Sequence, residues 1–170
     1  DRFWERTQSW FDYRRSVCGF NSKTKHKSRS QYGGTAILGV NFIVQKINTS
    51  GKDEKGLGRW CWMKINGRRG TNTRIISAYC PVRSVLRGAK GQSTVFAQQM
   101  EVLGEDPIRE FWDDLGIQLK EWIKEGDQII LCGDWNRNTT GNELTSFMAQ
   151  YGLKEAITHI HGKNPPPTFI

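Results

Sequence analysis

The sequence predicts an α+β fold in which helices cover a mixed sheet, and three observations carry that expectation. Around residues 59–80, two runs with alternating side chains flank a turn, the pattern of an antiparallel hairpin. Between Asp106 and Gly126, apolar residues recur on one helical face, bounded by a start and a stop signal. That helix feeds directly into an apolar run over residues 129–132, which breaks off at Gly133-Asp134-Trp135-Asn136. Strands and helices mixed in this way bury their apolar faces by stacking as layers.

In chain order, Phe3, Trp4, Trp10, Phe11, Tyr13 and Val17 recur at roughly helical spacing within residues 1–20, predicting an amphipathic helix whose aromatic stripe packs on the core. Next comes a basic run carrying Lys23, Lys25, Lys27 and Arg29 with no apolar anchor, a solvated loop or a phosphate-contacting arm. Gly33-Gly34 opens a β-prone run over residues 35–44, read as a central strand, and residues 49–58 read as a polar loop. Trp60, Trp62 and Lys64 then alternate with Cys61, Met63 and Ile65. Asn66-Gly67 begins a turn completed by residues 68–72, including Arg68 and Arg69, and residues 73–80 return as the partner strand. Pro81 cannot continue a ladder and releases Tyr79 near the strand's end, where its hydroxyl can enter a cleft.

Residues 82–94 read as a loop bordering the same end of the sheet, with Ser93 or Thr94 capping a helix through about Leu103. Asp106 as N-cap and Pro107 at the first helical position start a second helix. Its apolar face holds Ile108, Phe111, Trp112, Leu115, Leu119, Trp122 and Ile123, and Gly126 stops it. The run Ile129, Ile130, Leu131 and Cys132 reads as a buried strand. A polar loop follows Asn138, then a short helix over residues 142–151, residues 153–160, and Pro165-Pro166-Pro167-Thr168-Phe169-Ile170.

The 170 residues suffice for one sizeable core and suggest neither a repeat nor a second domain, so one domain over residues 1–170 is expected. No apolar run approaches the roughly 20 residues that span a bilayer, and no charged segment precedes an apolar one as in a secretion signal. An intracellular location, nuclear or cytoplasmic, is expected. Cys18, Cys61, Cys80 and Cys132 are widely spaced without a Cys-x-x-Cys pair, which favours buried free thiols over a zinc site or disulfides. The net charge of +8 points towards a polyanion, either nucleic acid or an anionic lipid surface. The chain opens on Asp1 and stops at what reads as the start of a strand, so a fragment is expected.

Chemistry gathers at Gly133-Asp134-Trp135-Asn136. Gly133 lets the backbone turn closely, and Asp134 and Asn136, two residues apart, project to one side while strand geometry persists. Such an anion and amide can orient a water, hold a hydrated cation or take a proton, and they also read as a strand ending in an Asx turn. His159 and His161 form a His-x-His pair that on a strand would face one side, as zinc ligands can, but no third ligand is near.

Four motifs stand in one order: Gly33-Gly34-Thr35-Ala36-Ile37-Leu38, Tyr79-Cys80-Pro81, Gly133-Asp134-Trp135-Asn136 and Pro167-Thr168-Phe169. Together they resemble the endonuclease/exonuclease/phosphatase superfamily, and the Gly-Arg-Trp segment and the acidic-aromatic helix look closest to endonuclease-like domains found with retroelement reverse transcriptases. The resemblance implies a DNase I-like four-layer α/β/β/α sandwich, incomplete here, and phosphodiester cleavage with Mg2+ or Mn2+ and an activated water. It implies that Asp134 aligns or activates the water, that Asn136 orients the site and that Tyr79 hydrogen-bonds a phosphate oxygen. It further implies a metal-binding glutamate on an earlier strand, for which Glu5 is a poor match, and a Ser-Asp-His segment after the Pro-Thr-Phe strand. Neither is found within these residues, so the metal ligands stay unassigned, with Asp134 a candidate, and the chain as written is expected to be inactive. The expected activity is a DNA-nicking endonuclease domain, with a reverse-transcriptase domain in the same polypeptide as an expected partner and with Lys23, Lys25, Lys27, Arg29, Arg68 and Arg69 contacting DNA. An inositol-phosphate or phospholipid phosphoesterase and a degenerate nucleic-acid-binding module are the alternatives.

Overall fold

Alternation at Trp60–Asn66 sets the architecture, because its two faces bury against different partners. A computed structural model describes residues 9–10, 14–19, 33–83, 95–138 and 141–162. The chain divides into two compact units, Asp1–Asn136 and Arg137–Ile170.

In the first unit, β1 (Arg14–Gly19) pairs antiparallel with β2 (Thr35–Val40). A second sheet has the order β3-β4-β5-β6, made of β3 (Ile47–Lys52), β4 (Trp60–Asn66), β5 (Asn72–Tyr79) and β6 (Gln128–Asp134). β3, β4 and β5 run antiparallel, whereas β6 runs parallel to β5. The crossover between them carries helices α1 (Val95–Leu103) and α2 (Pro107–Lys124), as a parallel pair requires.

Helix α2 covers one face of this sheet, where Phe111 meets Trp60 edge-on at 5.9 Å and Trp122 meets Trp62 at 5.7 Å. Cys61 and Met63 point the other way, buried at 0% and 1% exposure, where the Cys61 thiol lies 3.7 Å from the Val17 carbonyl of β1. The unit is thus layered as helix, sheet, sheet. Phe111, Leu115 and Leu119 are completely buried, and removing any one side chain costs about 2–5 kcal/mol. The Asp106 carboxylate accepts the Ile108 N–H at 2.9 Å, with Pro107 at the first helical position. Such a cap contributes about 1 kcal/mol.

Five expectations need correction. Arg14–Gly19 is a strand, because β2 offers it a full antiparallel ladder and tertiary pairing outweighs helical spacing. Trp10, expected in a core stripe, is 69% exposed. The strand opened by Gly33-Gly34 ends at Val40, where Asn41 takes a left-handed φ of 56° and residues Asn41–Lys46 form a 3-10 turn. Residues 47–52, read in part as loop, form β3, polar because an edge strand leaves its side chains in water. Gly51 there lets the Trp62 ring lie on the backbone, since a Cβ would come within 2.6 Å of it. Lastly, β6 is not a buried strand. Among the described residues it pairs only with β5, leaving Ile130 48% exposed and Cys132 exposed, while Cys61 and Cys80 are buried free thiols.

In the second unit, α3 (Asn142–Gln150) buries Leu144 and packs Phe147 on Tyr151 at 4.9 Å. α4 (Ala156–His161) carries the two histidines on a helix and not on a strand. No helix among the described residues is long and apolar enough to cross a membrane.

Candidate phosphoryl-transfer site

β5 and β6 are parallel and end together, so their carboxyl ends present side chains at one mouth. Tyr79, the last residue of β5, stands in register with Asp134, the last of β6, which places both side chains on the same face. The Cys80 N–H donates to the Asp134 carbonyl at 2.9 Å and extends this pairing by one step.

Asn136 joins them by a route other than strand alternation. The strand stops at Asp134, Asn136 turns to φ 50°, and its N–H donates to Asp134 Oδ1 at 3.1 Å. This is an Asx turn, which tolerates a left-handed asparagine. The Asn136 amide Nδ2 donates to the Cys80 carbonyl at 2.8 Å, and its side chain also hydrogen-bonds the Tyr79 hydroxyl. The turn and the chemistry are therefore the same residues.

The Tyr79 pKa is raised above its ordinary 10.0, chiefly by burial, then by the Asp134 carboxylate, with a smaller push from Cys80. The hydrogen bond from Asn136 opposes the shift. The hydroxyl therefore stays protonated through neutral pH and is available as a donor. Asp134 and Asn136 are exposed, and Tyr79 is half-buried.

Behind the mouth, an aromatic ladder holds the turn. The Trp135 ring folds back over Gly133, where a Cβ would lie 2.6 Å from the ring and 2.9 Å from the Ala78 carbonyl. Trp135 meets Trp112 at 5.7 Å, Trp112 meets Phe111 at 5.0 Å, and Phe111 meets Trp60. Arg59 lies 4.5 Å over the Trp60 ring and is fully buried. Its guanidinium pairs with Asp53 at 2.7 and 2.8 Å and with Asp114 at 2.8 Å. Burial lowers the Arg59 pKa, but bonding to Asp53 and Asp114 outweighs it and raises the value. The Arg59 carbonyl accepts the Tyr79 N–H at 2.8 Å. Sequence reasoning gave Trp112 to the apolar helix face and Arg59 no role. The signal was the run Asp53 to Arg59, an acid and a base closing a loop immediately before a strand.

Arg68 and Arg69 lie in the turn between β4 and β5, at the opposite end of the sheet. Eight residues of β5 intervene, which is roughly 26 Å at about 3.3 Å per residue. Lys23, Lys25, Lys27, Arg29, Glu5 and the Pro167-Thr168-Phe169 motif lie outside the described residues. His159 and His161 are exposed on α4, where two residues differ by about 200° around the axis and cannot share a metal as strand neighbours would.

In a comparison with solved structures, the chain matches the human Nocturnin catalytic domain with a bound sulfate anion, with TM-score 0.59 and 14% identity over 98% of this chain. The chain has a DNase I-like fold. It spans 59% of the length of that catalytic domain chain. No family model matches it. No curated protein matches it. Within this DNase I-like fold, no group of three or more metal-ligating side chains occurs among the described residues. The donors present suit a largely hydrated cation held through the single exposed carboxylate of Asp134, which is how magnesium binds, and do not form an all-protein cage.

Proposed function

We propose that the chain carries a metal-dependent phosphodiester-hydrolysing site and that its substrate is DNA, which it nicks, in a protein of retroelement type. The observation that carries this reading is the convergence of the Tyr79 hydroxyl, the Asp134 carboxylate and the Asn136 amide at the ends of β5 and β6. The fold likeness to a catalytic domain that holds sulfate, a tetrahedral oxyanion, supports it. A net charge of +8 supports a polyanionic substrate.

In this reading the exposed Asp134 carboxylate aligns the attacking water and accepts its proton. Asn136 spends its amide hydrogens on the Cys80 carbonyl and the Tyr79 oxygen, which fixes the phenol and leaves its O–H directed at a phosphoryl oxygen. Charge grows on that oxygen in the transition state, so a preset donor stabilises it more than the ground state. A divalent cation at Asp134 supplies further charge stabilisation when bound. A nucleic-acid-binding module without catalysis is the second reading, favoured by the single carboxylate at the mouth among the described residues.

The test is supercoiled-plasmid nicking by the natural full-length polypeptide, in magnesium and in EDTA, beside its Asp134→Asn variant. Magnesium-dependent nicking lost in the variant supports the reading. A folded protein that binds DNA without nicking it leaves the binding module standing.

A further inference from the structure

The end of the sheet away from Asp134 gathers basic side chains from separate segments. Arg14 and Arg15 begin β1, and Arg14 stands opposite Val40 at the end of β2. Lys46 closes the 3-10 turn that leads into β3, and Ile47 pairs with Ile65 near the turn that carries Arg68 and Arg69. Arg15 donates to the Ile47 carbonyl at 2.9 Å, tying β1 to this end. All five basic residues are exposed.

Residues 14–19, 33–52 and 60–79 contain neither Asp nor Glu. The other basic residues of β4 and β5, Lys64 and Arg74, are neutralised by Glu125 and Asp127. Lys46, Arg68 and Arg69 have no carboxylate partner among the described residues. An ordinary solvated face mixes both signs; on these segments every charged side chain is basic.

Phe42 stands in the same turn as Lys46 and is 79% exposed. The non-glycine residues with positive φ among the described residues are Asn41, Arg69 and Asn136. One belongs to the candidate site and the other two build this end. A ring in water beside phosphate-binding cations is the composition of a single-strand platform, where bases stack and the backbone is tracked by charge. One ring is too little apolar surface for insertion into a bilayer.

We propose that Phe42, Lys46, Arg68 and Arg69 form a second nucleic-acid contact, an exosite that holds an unpaired strand roughly 26 Å from Asp134. It rests on the nucleic-acid reading above. Substituting Lys46, Arg68 and Arg69 together by Ala in the natural full-length polypeptide removes three phosphate contacts. Fluorescence anisotropy with a labelled single-stranded oligonucleotide should then show the slope of log affinity against log salt shallower by about 2. Phe42→Ala should weaken binding roughly tenfold or more with the slope unchanged. All four residues are exposed, so folding is not at stake. If the wild type nicks plasmid but the slope and affinity stay at wild-type values in both variants, the exosite is overturned and the catalytic reading survives. Binding to anionic vesicles that the triple variant abolishes, with no oligonucleotide binding, overturns the exosite in favour of a membrane contact.

Discussion

Arg59 and Arg74 occupy similar surroundings at opposite ends of one sheet. Each is buried, each clasps an aspartate, and each lies over tryptophan: Arg59 on Trp60 with Asp53, Arg74 between Trp62 and Trp122 with Asp127. They differ in what the surrounding chain does next. The Arg59 carbonyl receives the Tyr79 N–H, and the ring beneath it begins the ladder that ends on Trp135. Arg74 leads only to Lys64, Glu125 and Asp127, a closed and neutral cluster. One ionic motif therefore fastens helix to sheet at both ends, and only one end is coupled to chemistry.

The strongest way to break this comparison is to remove the aspartate that each arginine clasps. Asp53→Ala and Asp127→Ala should each destabilise by about 1–3 kcal/mol, since the buried arginine keeps its second carboxylate, Asp114 or Glu125, and loses its aspartate hydrogen bonds, as read by urea unfolding. Only Asp53→Ala should also lower nicking per folded molecule; equal losses in both variants would remove the distinction. Tyr79→Phe keeps the packing and deletes one donor, so nicking should fall about 10²-fold, the cost of a lost transition-state donor, with stability nearly unchanged.

The tyrosine's ionisation sharpens the same point. The folded pKa is raised, so the neutral phenol stabilises the fold below the ordinary 10.0, and that contribution is lost as pH rises through the folded value. Ultraviolet difference titration should show the Tyr79 pKa lowered by Asp134→Asn, which removes a repelling charge, and raised further by Asn136→Ala, which removes an opposing hydrogen bond. The smallest effect is expected at Lys55, an exposed partner of Glu110 and Asp114 beside Arg59. Lys55→Ala should cost under about 1 kcal/mol and leave nicking intact.

Much of this was legible in the residues themselves. The β4–β5 hairpin, the capped α2 helix and the stop at Gly133 follow from alternation, helical spacing and turn chemistry, which are local signals. β1 was misread because its strand state depends on β2, which begins at residue 35, and spacing within one segment cannot report a distant partner. β3 was misread because an edge strand need not be apolar. At the mouth, Tyr79, Asp134 and Asn136 stood out as residue types at strand ends. Their mutual geometry did not, because a left-handed Asn136 and a Trp135 folded over Gly133 arise only once α2 supplies Trp112 as a surface.

The central claim is that Tyr79 and Asn136 act with Asp134 as one unit. It is tested most directly by plasmid-nicking kcat/KM for the wild type, Tyr79→Phe, Asn136→Ala and the double variant. Because Asn136 works through the phenol, the account predicts strong non-additivity, with the second substitution costing little once the first is made. Losses that add in free energy would contradict it.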